Sequence, residues 1–152
     1  MDDANIVVAG ATGNLGGRIV KALVERGANV KALVRHGTAP DKHARLQELG
    51  VTIVSVDLSS AFQVTPACSG ASCVVSALQG LRDVIVEVQT VLLDSAIQSG
   101  VPRFIPSDYS IDFTKFPPGE NRNLDLRREF HRAWIRLRFQ RPRSSTVRLP
   151  IC

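Results

Sequence analysis

The sequence predicts an α/β fold, a doubly wound parallel sheet of about five strands with flanking helices, and three observations predict it. Short apolar, β-branched runs alternate with segments of helical spacing, the pattern of successive strand, helix and parallel strand units. A glycine-rich loop, Gly10-Ala-Thr-Gly13-Asn-Leu-Gly16-Gly17, stands between the first such run and the first helical segment. The chain has 152 residues and 44% hydrophobic content, enough for one hydrophobic core and little room for two.

Each element follows from local pattern. Asn5–Ala9, ended by Gly10, reads as a strand buried on both faces. Leu15, Ile19, Ala22 and Leu23 recur at helical spacing between Asn14 and Arg26, and Gly27 supplies the stop. Val30–Val34 is the second strand, Asp41–Leu49 a helix stopped by Gly50, and Val51–Val56 the third strand. Ser59–Cys68 holds a short helix weakened by Pro66, and Ser72–Ala77 is the fourth strand. Val84, Val88, Val91, Leu92, Ser95 and Ala96 share one helical face, so an α-helix is predicted over Val84–Ser99, ended by Gly100 with Pro102 beyond. Arg103–Pro106 is the fifth strand, Pro117-Pro-Gly119 marks a loop, and Leu124–Ile135 is helical again.

Composition excludes several classes. No apolar run is long enough to span a bilayer, and the opening MDDANIVVAG has no basic secretory region, so a cytoplasmic protein without membrane attachment is expected. Cys68, Cys73 and Cys152 lack metal-site spacing, which argues against zinc and a disulfide framework; the first two read as small buried hydrophobes. The net charge of +5 is unevenly placed: residues 1–120 carry 10 Lys/Arg against 12 Asp/Glu, residues 121–152 carry 9 against 2. The acidic balance of the larger part offers nucleic acid no supporting surface, and nucleic acid is not the expected partner.

The glycine loop carries the chemistry. Leaving a buried strand and opening a helix, Gly10, Gly13 and Gly16 place backbone N–H groups and a helix N-terminus where a pyrophosphate can be cradled. Gly10 permits the tight turn, Gly13 the approach of the phosphate and Gly16 the packing of helix on strand; Thr12, Asn14 and Leu15 complete the loop. About 25 residues after Gly10, where an acid would bind ribose hydroxyls, stands Arg35, whose guanidinium suits a 2′-phosphate. NADP(H) is therefore favoured over NAD(H). Asp57, at the end of the third strand, either binds the adenine amino group or caps the next helix. Ala77, Leu78 and Gln79 after strand four, with Pro106 and Ser107 after strand five, form the rest of the crevice. Surface roles are expected for His36, His43 and His131.

Over residues 4–131, the loop GATGNLGG, the strand end ALVR and the segment RFIPSDYSIDFTKFPPGENRNLDLRREFH resemble the NmrA-like and isoflavone-reductase-like branch of the atypical short-chain dehydrogenases. The resemblance implies a Rossmann fold over residues 1–131 and NADP(H) held by Gly10, Gly13, Gly16 and Arg35. It further implies an oxidoreductase moving a hydride between NADPH and a small organic substrate, or a redox-sensing regulator that binds the nucleotide and acts through a protein partner. Pro106-Ser-Asp-Tyr-Ser110 is the counterpart of a segment near the nicotinamide.

Catalytic residues stay unassigned. Tyr109 is followed four positions later by Phe113, and Lys115 is two positions too far for a Tyr-x-x-x-Lys pair. Arg127 falls where isoflavone-type reductases carry a lysine, and arginine does not readily give up a proton.

Residues 132–152 are set apart as a basic tail, with six arginines and no acid from position 130 onward. Three readings apply: an arm for nucleic acid or lipid, a solvated tail, or translation out of frame. The last arises because Trp134-Ile135 read one base back yields Asp, and Ser145–Cys152 can be read back into a family-like continuation. Since family members run to roughly twice this length by resemblance, the expectation is a chain lacking the substrate-binding part, with weak NADP binding and little reductase activity.

Overall fold

The computed structural model describes residues 4–140, with side chains through Leu137. Along the chain run β1 (Asn5–Ala9), α1 (Asn14–Glu25), β2 (Asn29–Val34), α2 (Pro40–Glu48), β3 (Thr52–Ser55), α3 (Ala61–Cys68) and β4 (Cys73–Ser76). A π-helical turn, Asp83–Val88, then leads directly into α4 (Gln89–Gln98), followed by β5 (Phe104–Ile105), a 3-10 turn (Phe113–Lys115) and α5 (Arg122–Gln140). The strands form one parallel sheet in the order β3-β2-β1-β4-β5, the doubly wound Rossmann-type arrangement expected. From β1 the chain steps outward to β3, then crosses back to place β4 on the other side of β1. The connections leaving β1 and β4 therefore part to opposite faces, and a crevice opens at the carboxyl ends of these strands.

Successive strand residues face opposite sides, and this alternation divides the core in two. Val8 joins Val20, Ala32, Val34, Leu46 and Val75 beneath α1 and α2. Val7 and Ala9 join Val64, Leu92, Leu93, Phe104 and Phe130 beneath α3, α4 and α5. Both faces of the central strands are thus covered, which is why β1 and β4 read as unbroken apolar runs.

Two elements differ from the periodicity reading. The helix predicted over Val84–Ser99 begins as a π-turn rather than an α-turn. Gly80 lies against its first residues, where an added Cβ would stand 2.7 Å from Val84 Cβ and Cγ2, so this segment packs too closely on the loop after β4 for a larger residue. A period of 3.6 cannot register the one wider turn, since the apolar positions on either side remain on a shared face.

The last helix is the second difference. It continues to Gln140, through the 131/132 position where a basic tail was set apart. Trp134, 3% exposed, packs edge-on against Phe104 (ring centroids 5.5 Å) and tilted against Phe130 (5.9 Å). The burial of this ring explains why the helix persists through an arginine-rich stretch: one face is anchored in the core while Arg132 and Arg136 are exposed. The arm, solvated-tail and out-of-frame readings concern residues 132–152, of which 141–152 lie outside the described residues.

Two consequences are testable. Trp134→Ala removes the outermost ring of this cluster and is expected to cost about 3–5 kcal/mol, lowering the melting temperature by roughly 10 °C in a thermal scan. Cys68 is fully buried and its burial pushes the thiol up to about 11; Cys73 is buried and shifted the same way by the same cause. Mass spectrometry after iodoacetamide treatment at pH 8 should find both unmodified in the folded protein and both modified in denaturant.

Candidate functional site

The crevice at the carboxyl ends of the strands is an open cleft of about 850 Å³. Its floor is built from the chain segments that leave each strand: Gly10 to Gly16 after β1, Arg35 and His36 after β2, Asp57 to Ser59 after β3, Ala77 to Gln79 after β4, and Ser107 with Tyr109 after β5. Of the sequence-predicted positions, Gly10, Thr12, Gly13, Asn14, Leu15, Gly16, Arg35, Asp57, Ala77, Leu78, Gln79 and Ser107 all line it. Pro106 does not; it is buried behind the lining, so its contribution is to direct the chain into Ser107.

The three loop glycines have different physical reasons. Gly10 has φ +82°, and a Cβ there would lie 2.5 Å from the Ala77 carbonyl oxygen, so the loop after β1 touches the end of β4 backbone to backbone. A Cβ on Gly16 would lie 2.0 Å from the Gly10 carbonyl oxygen, which fixes how closely the first turn of α1 sits on the end of β1. Gly13 is unlike both. Its φ of −79° and ψ of 170° suit any residue, and an added Cβ would meet only Gly10 O at an ordinary 3.4 Å. The protein itself makes no demand for glycine there, whereas a group seated on the loop would.

Gly13 is the N-cap of α1, and no side chain caps this helix. The N–H of Gly13 is turned inward to Gly10 O at 3.1 Å, and the first intrahelical bond runs from Gly17 N to Gly13 O at 2.8 Å. The amides of Asn14, Leu15 and Gly16 therefore open the helix without an intrahelical partner, and the helix dipole adds partial positive charge at the same place.

At the β2 end, Arg35 and His36 are exposed, and Thr38 folds back through its hydroxyl (2.7 Å) and N–H (3.2 Å) to the Arg35 carbonyl, shaping the turn that presents the guanidinium. Lys42 of α2 lines the same cleft and was missed by sequence reasoning, because a lysine on a polar helix face carries no signal until the fold brings it beside Arg35. Asp57 does not cap α3: Oδ1 accepts from Ser59 N at 2.9 Å and from Ser59 Oγ at 2.5 Å, while Ser60 holds the N-cap position. The Ser59 hydroxyl and N–H hold its carboxyl below the ordinary aspartate value, with His36 adding a smaller pull. Gln63 ties these ends together, accepting from Asp57 N at 2.9 Å and bonding His36 Nε2 at 3.2 Å.

At the β5 end, Tyr109 is half-exposed, and burial of the ring together with the nearby Cys73 and Asp108 pushes its phenol above the ordinary value. Lys115 lies outside the cleft, exposed in the 3-10 turn beside Asp112, which leaves the two without the geometry of a tyrosine and lysine pair. Arg127 does reach the cleft, donating through Nη1 to Asn123 O at 2.9 Å. His131 departs from the surface role expected of it: its Nε2 sits 2.5 Å from Asp108 Oδ2, and its ring stacks edge-on with Phe113 at 4.9 Å, joining the loop after β5 to α5. Among the described residues no cluster of His, Cys, Asp and Glu could hold a metal ion, and no helix is long and apolar enough to cross a membrane.

The chain is similar to known proteins. The model of the NmrA-like family matches residues 2–118. An isoflavone reductase homolog, IRL, from Zea mays is 34% identical over 118 residues, covering 73% of this chain and 37% of that protein. A probable pinoresinol-lariciresinol reductase 3 from Arabidopsis thaliana is 30% identical over 129 residues, covering 84% of this chain and 40% of that protein. Among solved structures, AtPrR2 with NADP+ and (+)-pinoresinol superposes with a TM-score of 0.76 at 27% identity, covering 90% of this chain and 47% of that one. The chain thus spans less than half the length of these relatives. With its glycine loop, its parallel sheet and the family match running from residue 2 to residue 118, the chain belongs to the NmrA-like family.

Proposed function

We propose that the cleft binds NADP(H), and that the chain is the nucleotide-binding part of an oxidoreductase acting on a small organic substrate. The observation that carries this reading is Gly13, a glycine required neither by backbone conformation nor by packing, at the uncapped N-terminus of α1. The N–H groups of Asn14, Leu15 and Gly16 would receive the pyrophosphate. Arg35, with His36 and Lys42 beside it, would receive the 2′-phosphate. Asp57, whose carboxylate is already held by Ser59, would face the adenine. The β4 and β5 side, with Leu78, Gln79 and Ser107, is left for the nicotinamide half, since a dinucleotide lies across the crevice from one β-α-β half to the other.

Bound NADPH supplies a hydride; the chain's own residues bind and orient it. Tyr109 retains its proton across the neutral range, because its phenol is raised above an already high ordinary value. Arg127 is a fixed cation and not a proton donor. Tyr109 thus presents a phenolic O–H, and Arg127 a positive charge, at this end of the cleft.

Titration followed by nicotinamide fluorescence tests the reading. NADPH should bind more tightly than NADH by about tenfold to a hundredfold, the scale of charge-assisted bonds to one phosphate, and Arg35→Glu should abolish that preference while leaving NADH affinity within a few-fold. Equal affinity of the native chain for the two cofactors would sink the assignment of Arg35. The glycines should separate cleanly. Gly13→Ala, whose added Cβ meets only Gly10 O at 3.4 Å, is expected to keep the native melting temperature within a few degrees and to weaken NADPH binding, whereas Gly16→Ala forces Gly10 and α1 apart and should cost upwards of about 2 kcal/mol of stability.

A further inference from the structure

We propose that Gln89 is a positioning residue that sets the nicotinamide side of the cleft, by locking the loops after β4 and β5 to the π-turn; this rests on the reading of the cleft as a dinucleotide site. Gln89 is fully buried at the junction of the π-turn with α4, and does not itself line the cleft. Its amide is used at both ends: Nε2 donates to the Ile85 carbonyl at 3.0 Å, and Oε1 accepts from Ser107 N at 2.8 Å. Ser107, itself buried, passes the connection on, its Oγ donating to the Leu78 carbonyl at 2.6 Å. Two side chains, Gln89 and Ser107, thereby join the segment following β4, the segment following β5 and the helix that covers both.

The π-turn is what makes this possible. Val84 and Val88 reach the cleft from it, while Gln89 N–H bonds back to Val84 O across the wider turn. The side chain of Gln89 then lies within reach of Ile85 O and Ser107 N together. Wider turns of this kind recur where a helix must aim a side chain at a functional site. A buried amide with both ends satisfied is rigid, because losing either bond strands a polar group away from water. The adenine side has no such element: there Arg35, His36 and Gln63 are exposed. The prediction is a division of labour, with Gln89 acting on the nicotinamide half and leaving the adenine half alone.

Two ligands read the two halves separately in the full 152-residue chain: NADPH, and adenosine 2′,5′-bisphosphate, which lacks the nicotinamide. Gln89→Met keeps the side-chain length and removes both bonds. It should weaken NADPH about tenfold and remove the rise in nicotinamide emission on binding, with the bisphosphate affinity within twofold of native. Gln89→Glu, held neutral by burial, retains the acceptor for Ser107 N and should restore most of the emission. Unchanged NADPH binding in Gln89→Met overturns the proposal, and so does an equal loss of both ligands, which marks a merely structural role. If Gln89→Met does not fold, Gln89→Asn, which keeps a buried amide but is one methylene too short to hold Ile85 O and Ser107 N together, is read by the same two ligands, with the same outcomes deciding. Failure of the native chain to bind either ligand brings down the dinucleotide reading itself, a result distinct from any obtained with the variants.

Discussion

The contact between the first turn of α1 and the backbone at Gly10 governs most of this structure. Only hydrogen fits between Gly16 Cα and the Gly10 carbonyl, and only hydrogen fits between Gly10 and the Ala77 carbonyl. These two approaches bring α1 down onto the end of β1 and draw the end of β4 against the same loop, with Ala77 N bonded to Ala9 O at 2.8 Å. The switch point of the sheet is thus closed by backbone atoms, and the helix N-terminus faces the cleft with no side chain capping it. A larger residue at either glycine would separate the elements whose closeness defines the site.

From this junction the cleft extends in two directions with different mechanical character. Toward β2 and β3 it is shaped by exposed polar side chains, where Thr38, Ser59 and Gln63 hold the turns that present Arg35, His36 and Asp57. Such groups exchange with water at little cost, and their geometry is adjustable. Toward β5 it is shaped by buried bonds through Gln89 and Ser107, whose loss would leave unsatisfied groups in the core. Behind that wall, α5 is held by the rings of Phe104, Phe130 and Trp134 and by the His131 contact with Asp108. The ion pairs of Arg82 with Glu87 and Glu129 join the π-turn to α5 as well, but they are solvent-exposed and contribute little beyond registration.

The fold was legible because its determinants are local and periodic. Apolar runs of five or six residues, helical spacing between them and a glycine at each helix end give every strand its place in sequence, and a parallel connection leaves few topologies. The glycine loop and Arg35 were legible for a related reason: strand ends and the first turn of the following helix are fixed by chain order, so the residue just past a strand already has an address in the crevice. Lys42 has no such address, since its place in the cleft depends on how α2 lies against β3. His131 was misjudged because a histidine among charged residues looks the same whether it faces water or a carboxylate on another loop. The π-turn left no periodic trace, and the continuation of the last helix from Ile135 to Gln140 was hidden by the arginines of that stretch.

What the sequence by itself determined is the order of strands and helices, the glycines that let β1, α1 and β4 meet, and the cation at the end of β2, all set by the conformational freedom and size of residues close along the chain. Only the tertiary structure decided that Gly13 is free of any internal demand, that Gln89 reaches Ser107 and through it Leu78, and that Trp134 belongs to the core. The first depends on the backbone angles and close contacts of the folded loop, and the other two on distances between segments far apart in the chain, which come from the packing of whole layers, to which no single stretch of sequence has access.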